Sequence, residues 1–473
     1  MADEIADEFT HAELGDRRRS QRLRKVVTAM AKIPAASLAA ASGGWAEVQA
    51  TYRLLNCQDV THEALLAPHQ QAVAERCRAH ACVVVAQDTT EFDFSHMREL
   101  EGVGPLNDED RKGFFMHSLH AVSELGLPLG IVNMAITVRD VATFSRRKIP
   151  HKQRASGDKE SRRWVEGYLR TLELARSVPD CQVISVSDRE GDIYEAFEAW
   201  HQAEDTDKPR AEWIIRANQD RALIGLVEDG DPAKLFATLA AAPLLGEASF
   251  EMKAKAGLKK VKGNRVPCQR SARMVHQEIR ALKITPRPPY RKGGKLPEVS
   301  FWAVLAQEVA PPEGEEPVCW LLLTSLEATT SEQALRILNL YQRRWAIEVF
   351  HRVIKTGCRV ESIQLKTGQA LINALAIYAV IAWRILYLTH LGRHCPDLPC
   401  GCVFEEGEWK AACAVIKRKE AGEPTLSEFI GIVGKLGGHL GRKGDGPPGP
   451  QAIWQGLARI RNFACAWHAL HGD

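Results

Sequence analysis

The sequence predicts a mixed α/β core, interrupted by a β-rich insertion and flanked by helical regions at both ends. Three observations carry this reading. Short β-branched runs (82–86, 181–187, 212–216) alternate with a helical stretch, the strand–helix–strand rhythm of α/β proteins. Between 221 and 318 that rhythm gives way to alternating polar and apolar runs set off by Pro, Gly and Lys. The first 75 residues and those after 370 carry helical periodicity.

A chain of 473 residues is too long for one core, and about 150 residues per domain suggests two or three. The changes of pattern give five segments. These are a helical unit at 1–75, a first part of the core at 76–220, the insertion at 221–318, a second part of the core at 319–370, and a helical region at 371–473. The composition, 45% hydrophobic and 26% charged, is that of a globular protein. The longest apolar stretch, 374–388, contains Arg384 and reads as a buried helix, so no membrane partner is expected. The acidic start MADEIADEF has no apolar signal region, which predicts a cytoplasmic protein with its 12 cysteines as reduced thiols.

Taken in order, residues 21–32 form a basic amphipathic helix stopped by Pro34, and 45–55 a second helix. Cys82 to Ala86 is a buried strand ending in Gln87-Asp88. Strands at 114–122 and 131–138 are joined by the turn Gly126-Leu127-Pro128, and a helix spans 159–177. The strand 181–187 ends in Asp188, and 212–216 is another. In the insertion, 248–253, 271–284 and 299–309 read as strands. After the apolar run 320–324, one long helix is expected from Ser331 to about Lys355.

Net charge is only +3, but basic residues cluster at 17–25, at Arg146-Arg147-Lys148, at 253–265 and at 287–295. Four such clusters favour a polyanion track.

Asp88 and Asp188 each follow a buried apolar run, and strand ends are where open α/β sheets place ligand sites. A single such aspartate is more often a turn or N-cap residue. The expected helix adds the stronger signal. Turning about 100° per residue puts Tyr341, Arg344, Glu348 and Lys355 within an arc of roughly 60°, with Arg352 beside it. One carboxylate flanked by cations and a tyrosine suits a phosphate backbone passing a metal ligand. Two aspartates and a glutamate make an oxygen-rich site that prefers Mg²⁺, with Mn²⁺ as substitute, over zinc. The corresponding chemistry is phosphodiester displacement with two ions per site.

The pattern Tyr341-x2-Arg344-x3-Glu348-x6-Lys355 resembles the signature helix of bacterial insertion-sequence DDE transposases, which have an RNase H-like core. Further runs resemble the same family: ELGDRRRSQRL, QDTTEFDF around Asp88, SDREGDIYEAF around Asp188, WLLLTS at 320–325 and LGGHLGRKGDG near the end. Within it, the likeness runs to hairpin-forming, cut-and-paste enzymes of composite transposons of the kanamycin type. The resemblance implies an RNase H-like mixed sheet, with Asp88, Asp188 and Glu348 as the catalytic, metal-binding triad. It implies that Tyr341, Arg344, Lys355 and Arg216 grip DNA, and that Trp320 steadies a distorted base at the transposon end. It also implies double-stranded DNA partners (transposon ends and target), a hairpin step, and a homodimer on paired ends held through the C-terminal helices.

His390, His394, Cys395, Cys400 and Cys402 have spacings that could bind zinc, but no pair of Cys-x2-Cys motifs accompanies them. Two other classes fit parts of the sequence: a DNA-binding protein without catalysis, and a metal-dependent nuclease or phosphatase that never joins strands.

Overall fold

A computed structural model describes residues 2–32, 38–41, 44–108, 110–140, 160–204, 208–228, 231–261, 264–291, 294–419, 422–442 and 444–471. In chain order the elements begin with α1 (Ala2–Asp7), α2 (Arg17–Lys32), α3 (Leu38–Ala41), α4 (Trp45–Leu55) and α5 (His62–Arg78). There follow β1 (Cys82–Asp93), β2 (Gly104–Pro105), β3 (Lys112–Ser123), β4 (Pro128–Thr137), α6 (Arg162–Ser177), β5 (Gln182–Ser187), α7 (Tyr194–Gln202) and β6 (Glu212–Arg216). The next stretch holds β7 (Ala222–Glu228), β8 (Asp231–Lys234), α8 (Leu235–Ala240), β9 (Gly246–Met252), β10 (Lys255–Val261), β11 (Asn264–Arg270) and β12 (Arg273–Ile284). After it come β13 (Tyr290–Arg291), β14 (Gly294–Lys295), β15 (Phe301–Glu308) and β16 (Cys319–Thr324). The chain closes with α9 (Ser331–Gln342), α10 (Trp345–Arg352), α11 (Gly368–His394), α12 (Glu406–Val415), α13 (Leu426–Leu436) and α14 (Pro450–His471).

Two compact units result: Met1–Lys159 with Trp345–Asp473, and Glu160–Arg344. They group elements by contact, whereas the sequence segments mark changes of element type.

In the first unit β3 pairs antiparallel with β1, β2 and β4. The β3–β4 turn uses Gly126 at φ 96, a left-handed backbone that glycine adopts without strain. At Gly130, a Cβ would lie 2.2 Å from Val73, so only glycine lets β4 approach α5. The core is built around α11, long and apolar enough by composition to cross a membrane but buried within this unit, as a core helix is. Its one wholly buried amide, Asn373, donates to the carbonyls of Leu55 (2.9 Å) and Val60 (2.7 Å), and Trp383 donates to Pro128 (3.0 Å). Unpaired, those groups would each cost about 1–3 kcal/mol. Glu8, just after α1, accepts from His69 Nδ1 at 2.6 Å and from Arg76, while His69 Nε2 accepts the Ile131 N–H at 3.0 Å. Both ring nitrogens are thus satisfied in a neutral imidazole, in accord with the burial that pushes its pKa down.

In the second unit the strand order is β5-β6-β16-β15-β12-β9. Only β5–β6 is parallel among these pairs; the rest run antiparallel. The fold class is therefore the mixed α/β class expected, with helical regions at both ends. The strands of the expected insertion add a finding: β12 and β15 continue through β16 the sheet that begins with β5 and β6. An aromatic cluster of Phe197, Trp213 and Phe301, ring centroids 4.7–5.1 Å apart, backs this sheet. Each such ring buries enough apolar surface to contribute roughly 1.5–3 kcal/mol.

Two expectations need correction. The strand at Cys82 does not stop at Asp88: β1 continues five residues to Asp93, and what ends near Asp88 is the fully buried stretch. The polar, β-branched run Asp88-Thr89-Thr90-Glu91 keeps the chain extended while partly exposed. The long helix from Ser331 starts where expected, at a capping box of Thr330 and Gln333, but is not continuous to Lys355. It closes at Gln342 with i→i+3 bonds from Arg343 to Leu340 (3.1 Å) and Arg344 to Tyr341 (3.0 Å). α10 then begins anew in the first unit, because the two segments pack into different cores.

Candidate active site

In the first unit, Asp88 sits in β1 directly opposite Ser118 of β3. Directly opposed residues present their side chains on the same face of a sheet. Ser118 Oγ, fully buried, lies 2.7 Å from Nε2 of His351 on α10. The Asp88 face is therefore the face that α10 covers. His351 follows Glu348 by three residues, so the two stack on adjacent turns of one helix face. Ile347 and Phe350 bury the same helix, and Phe350 stacks on His120 with centroids 5.0 Å apart. Glu348 itself is half-buried, and Asp88 is half-buried with Oδ1 accepting the Thr89 N–H at 2.7 Å.

Beyond Arg352, which is exposed, the chain takes one π-helical turn, Val353–Gly357, closed by Cys358 N–H to the Val353 carbonyl at 2.9 Å. The steady turn of an ideal α-helix does not extend to Lys355, and the expected single arc of four side chains is replaced by two short helices and this turn. Lys355 Nζ is 3.9 Å from Glu361 and 5.3 Å from the Phe92 ring centroid. Glu361 in turn accepts the Asp93 N–H at 3.0 Å, tying the lysine to the end of β1.

In the second unit, Asp188 follows β5 directly, and its Oδ1 accepts the Glu190 N–H at 2.8 Å, capping a 3-10 turn. The charge that follows it is partly structural. Asp192, 2% exposed, accepts the N–H groups of Asn218 (2.7 Å) and Gln219 (2.8 Å) and pairs with Arg221 at 2.6 Å. It thereby pins the loop leaving β6, the strand that ends in Arg216. Arg216 donates to the Cys319 carbonyl at 3.2 Å. The next residue, Trp320, meets Tyr341 edge-to-face with centroids 5.5 Å apart. Burial pushes the Tyr341 hydroxyl above its ordinary value, while Arg344, which hydrogen-bonds it, and Arg216 pull it back and Asp188 adds to the rise. The phenol is a protonated donor among two guanidiniums and a carboxylate.

The expected residues thus fall into two groups: Asp88, Glu348, Arg352 and Lys355 in one unit, and Asp188, Arg216, Trp320, Tyr341 and Arg344 in the other. Among the described residues, no three His, Cys, Asp or Glu side chains stand together as a metal cage. Mg²⁺ needs none: it takes one or two carboxylates and completes its shell with water and substrate phosphates. Half-buried carboxylates such as Asp88 and Glu348 have the donor chemistry it takes.

The zinc-like constellation is a different matter. His390 and His394 stack with centroids 6.3 Å apart, and burial pushes the Cys400 thiol up to about 12. Among the described residues, no three of these His and Cys side chains stand together to hold a metal ion.

Of the basic clusters, the one in α2 is largely ion-paired: Arg19 with Asp59 (2.7 Å), Arg22 with Glu47, and Arg24 with Asp7 (2.8 Å). Arg291 pairs with Glu195, and Lys295 with Glu298. Arg146-Arg147-Lys148 and Lys292 lie outside the described residues. Sequence reasoning missed Ser118, His351 and Glu361. Nothing in their spacing marks them, since each works through a partner far along the chain.

Three family models match the chain. One described as transposase DNA-binding covers residues 1–60, one described as transposase DDE domain covers 201–384, and one described as transposase Tn5 dimerisation domain covers 380–469. Glu348, Arg216, Trp320, Tyr341, Arg344, Arg352 and Lys355 lie within the DDE match, and Asp88 and Asp188 precede it.

Proposed function

From a chain that carries the DNA-binding, DDE and Tn5-type dimerisation domains of a transposase, we infer an enzyme that moves its DNA element by cut-and-paste. A nick at each transposon end frees a 3′-hydroxyl. That hydroxyl attacks the opposite strand and leaves a hairpin on the element; hydrolysis reopens it, and the 3′ end then joins target DNA. The observation that supports this best is the Ser118–His351 contact, which fixes the Glu348 helix over the face of β1 that carries Asp88.

Asp88, Asp188 and Glu348 are the catalytic carboxylates and the ligands for Mg²⁺, two ions per site with Mn²⁺ as substitute. Divalent metal at such a site supplies the charge that activates an attacking oxygen and steadies a leaving one. The remaining residues hold the strand. Arg344 and Lys355 offer fixed positive charge to backbone phosphates, with Arg352 at the exposed edge. Tyr341, as a protonated donor beside Arg216, hydrogen-bonds a phosphate oxygen. Trp320 gives a displaced base an aromatic face. The segment 1–75 binds the transposon end, and 371–473 pairs two copies on paired ends, in the cytoplasm and on the nucleoid.

The test is incubation of the protein with duplexes carrying the element's own ends, a target plasmid and Mg²⁺. Hairpin-ended cleavage products followed by plasmid insertion are expected. Cleavage without insertion points to a nuclease, and binding without any product to a DNA-binding protein; either overturns the reading.

A further inference from the structure

Immediately after Lys355, the π-helical turn Val353–Gly357 and α14 enclose a cleft of about 320 Å³ within the first unit. It is lined by the exposed residues Arg359, Arg459, Thr356 and Gln455 and by the buried Trp454. None of the lining residues is acidic, and among the described residues neither guanidinium has a carboxylate partner. Trp454 backs the turn so closely that a Cβ on Gly357 would lie 3.0 Å from its ring.

Arg359 is one of the few described non-glycine residues with left-handed backbone, at φ 50. Such a residue is strained, and the strain persists only where its surroundings enforce it. A glycine would adopt this backbone freely, yet the position that lines the cleft carries a long cation. Arg459 donates one N–H to the Leu436 carbonyl at the end of α13, which orients its fork and leaves other donors for a ligand. A π turn inserted in a helix and a strained arginine beside it are both features that collect at functional sites.

We propose that this cleft grips one phosphate of the DNA backbone, through Arg359 and Arg459, next to the contact made by Lys355. It rests on the DNA-processing reading above and adds a contact in which the segment matched as a dimerisation domain, through α14, holds the same strand as the segment matched as a DDE domain. Two arginine forks around one tetrahedral anion are the geometry that phosphate takes best.

The test uses the full-length protein and a duplex carrying the element's end, with affinity measured across a salt series. Arg359→Gly removes the cation and the strain together. Its thermal midpoint is expected to equal or exceed that of the wild type, while affinity falls about tenfold and the log–log salt slope shrinks by about 0.9. Arg359→Lys should restore the slope but not all of the affinity, because a lysine cannot form the bidentate fork. Arg459→Ala should match Arg359→Gly in affinity, and the double variant should lose no more slope than one phosphate accounts for. Wild-type affinity and slope in Arg359→Gly and Arg459→Ala would overturn the cleft and leave the DNA reading standing. A wild-type protein that binds no duplex would overturn both. If inorganic phosphate raises the wild-type thermal midpoint while the variants keep full DNA affinity, the cleft holds a free anion and the inference fails.

Discussion

Ser118 and His351, 233 residues apart in sequence, meet through a buried 2.7 Å contact between hydroxyl and imidazole. The serine lies opposite Asp88 and the histidine one turn beyond Glu348, so a single contact links the supports of two candidate metal ligands. Neither residue is proposed to take part in the reaction; each supports an element that carries a proposed ligand.

Replacing either partner of that contact should cost both stability and alignment. Ser118→Ala leaves an imidazole nitrogen buried without its partner, at about 1–3 kcal/mol. Strand cleavage should fall further than DNA affinity in both Ser118→Ala and His351→Leu. In the double variant the losses of stability should add to less than their sum, because one contact is removed once. Additive losses in denaturant melts would show that the contact does not couple β3 to α10.

Glu348→Gln should abolish cleavage and joining together while end binding persists. The amide keeps the shape of the side chain and removes the charge that holds a divalent ion. Gel-shift and strand-transfer assays separate the outcomes. Retained cleavage with lost joining would make Glu348 something other than a shared ligand, with Glu190 the first replacement to examine.

Arg344→Ala and Lys355→Ala should each weaken end binding and reduce the salt slope by about one. Lys355 is only half-buried and its ion pair with Glu361 spans 3.9 Å, so Lys355→Ala should cost less than about 1 kcal/mol of stability. Unchanged salt dependence in both variants would remove them from the DNA path.

Asp188 and Asp192 are four residues apart and should behave oppositely. Asp192→Ala strips a buried arginine and two backbone N–H groups of their acceptor, a loss of about 3–5 kcal/mol in thermal or urea melts. Asp188→Asn keeps an oxygen for its cap and should unfold near the wild-type midpoint while losing cleavage. Equal stability losses would mean that Asp188 too is mainly structural.

His120 makes the folded chain sensitive to acid. Burial, reinforced by His69, His351 and His390, pushes its imidazole down to about 3, so it stays neutral in the fold. In the unfolded chain it protonates near 6.5. Its contribution is therefore full above about pH 6.5 and is lost as pH falls toward 3, by about 2 kcal/mol at pH 5. Urea midpoints at pH 7.5 and pH 5 should separate less in His120→Phe, which keeps the stack on Phe350. An equal separation would place the acid sensitivity elsewhere.

The sequence by itself determined the elements and their type. Short apolar runs became β5 and β6 and alternating runs became β9, β12 and β15, each within about two residues of its expected ends, and 45–55 became α4 without change. It also marked Asp188 at a strand end and the apolar stretch from 374 as a core helix. These are local properties, because side-chain period and turn residues act over a few positions. Only the tertiary structure decided that the helix after Ser331 breaks at Arg343-Arg344, since each half is held by a different core. Only it decided that Asp192 pins a loop while its neighbour Asp188 does not, that Arg19, Arg22 and Arg24 of α2 are spent on ion pairs, and that Ser118 finds His351. A hydrogen bond between residues far apart leaves no period in the sequence; it exists only once the sheet and the helix have brought its two ends within 3 Å.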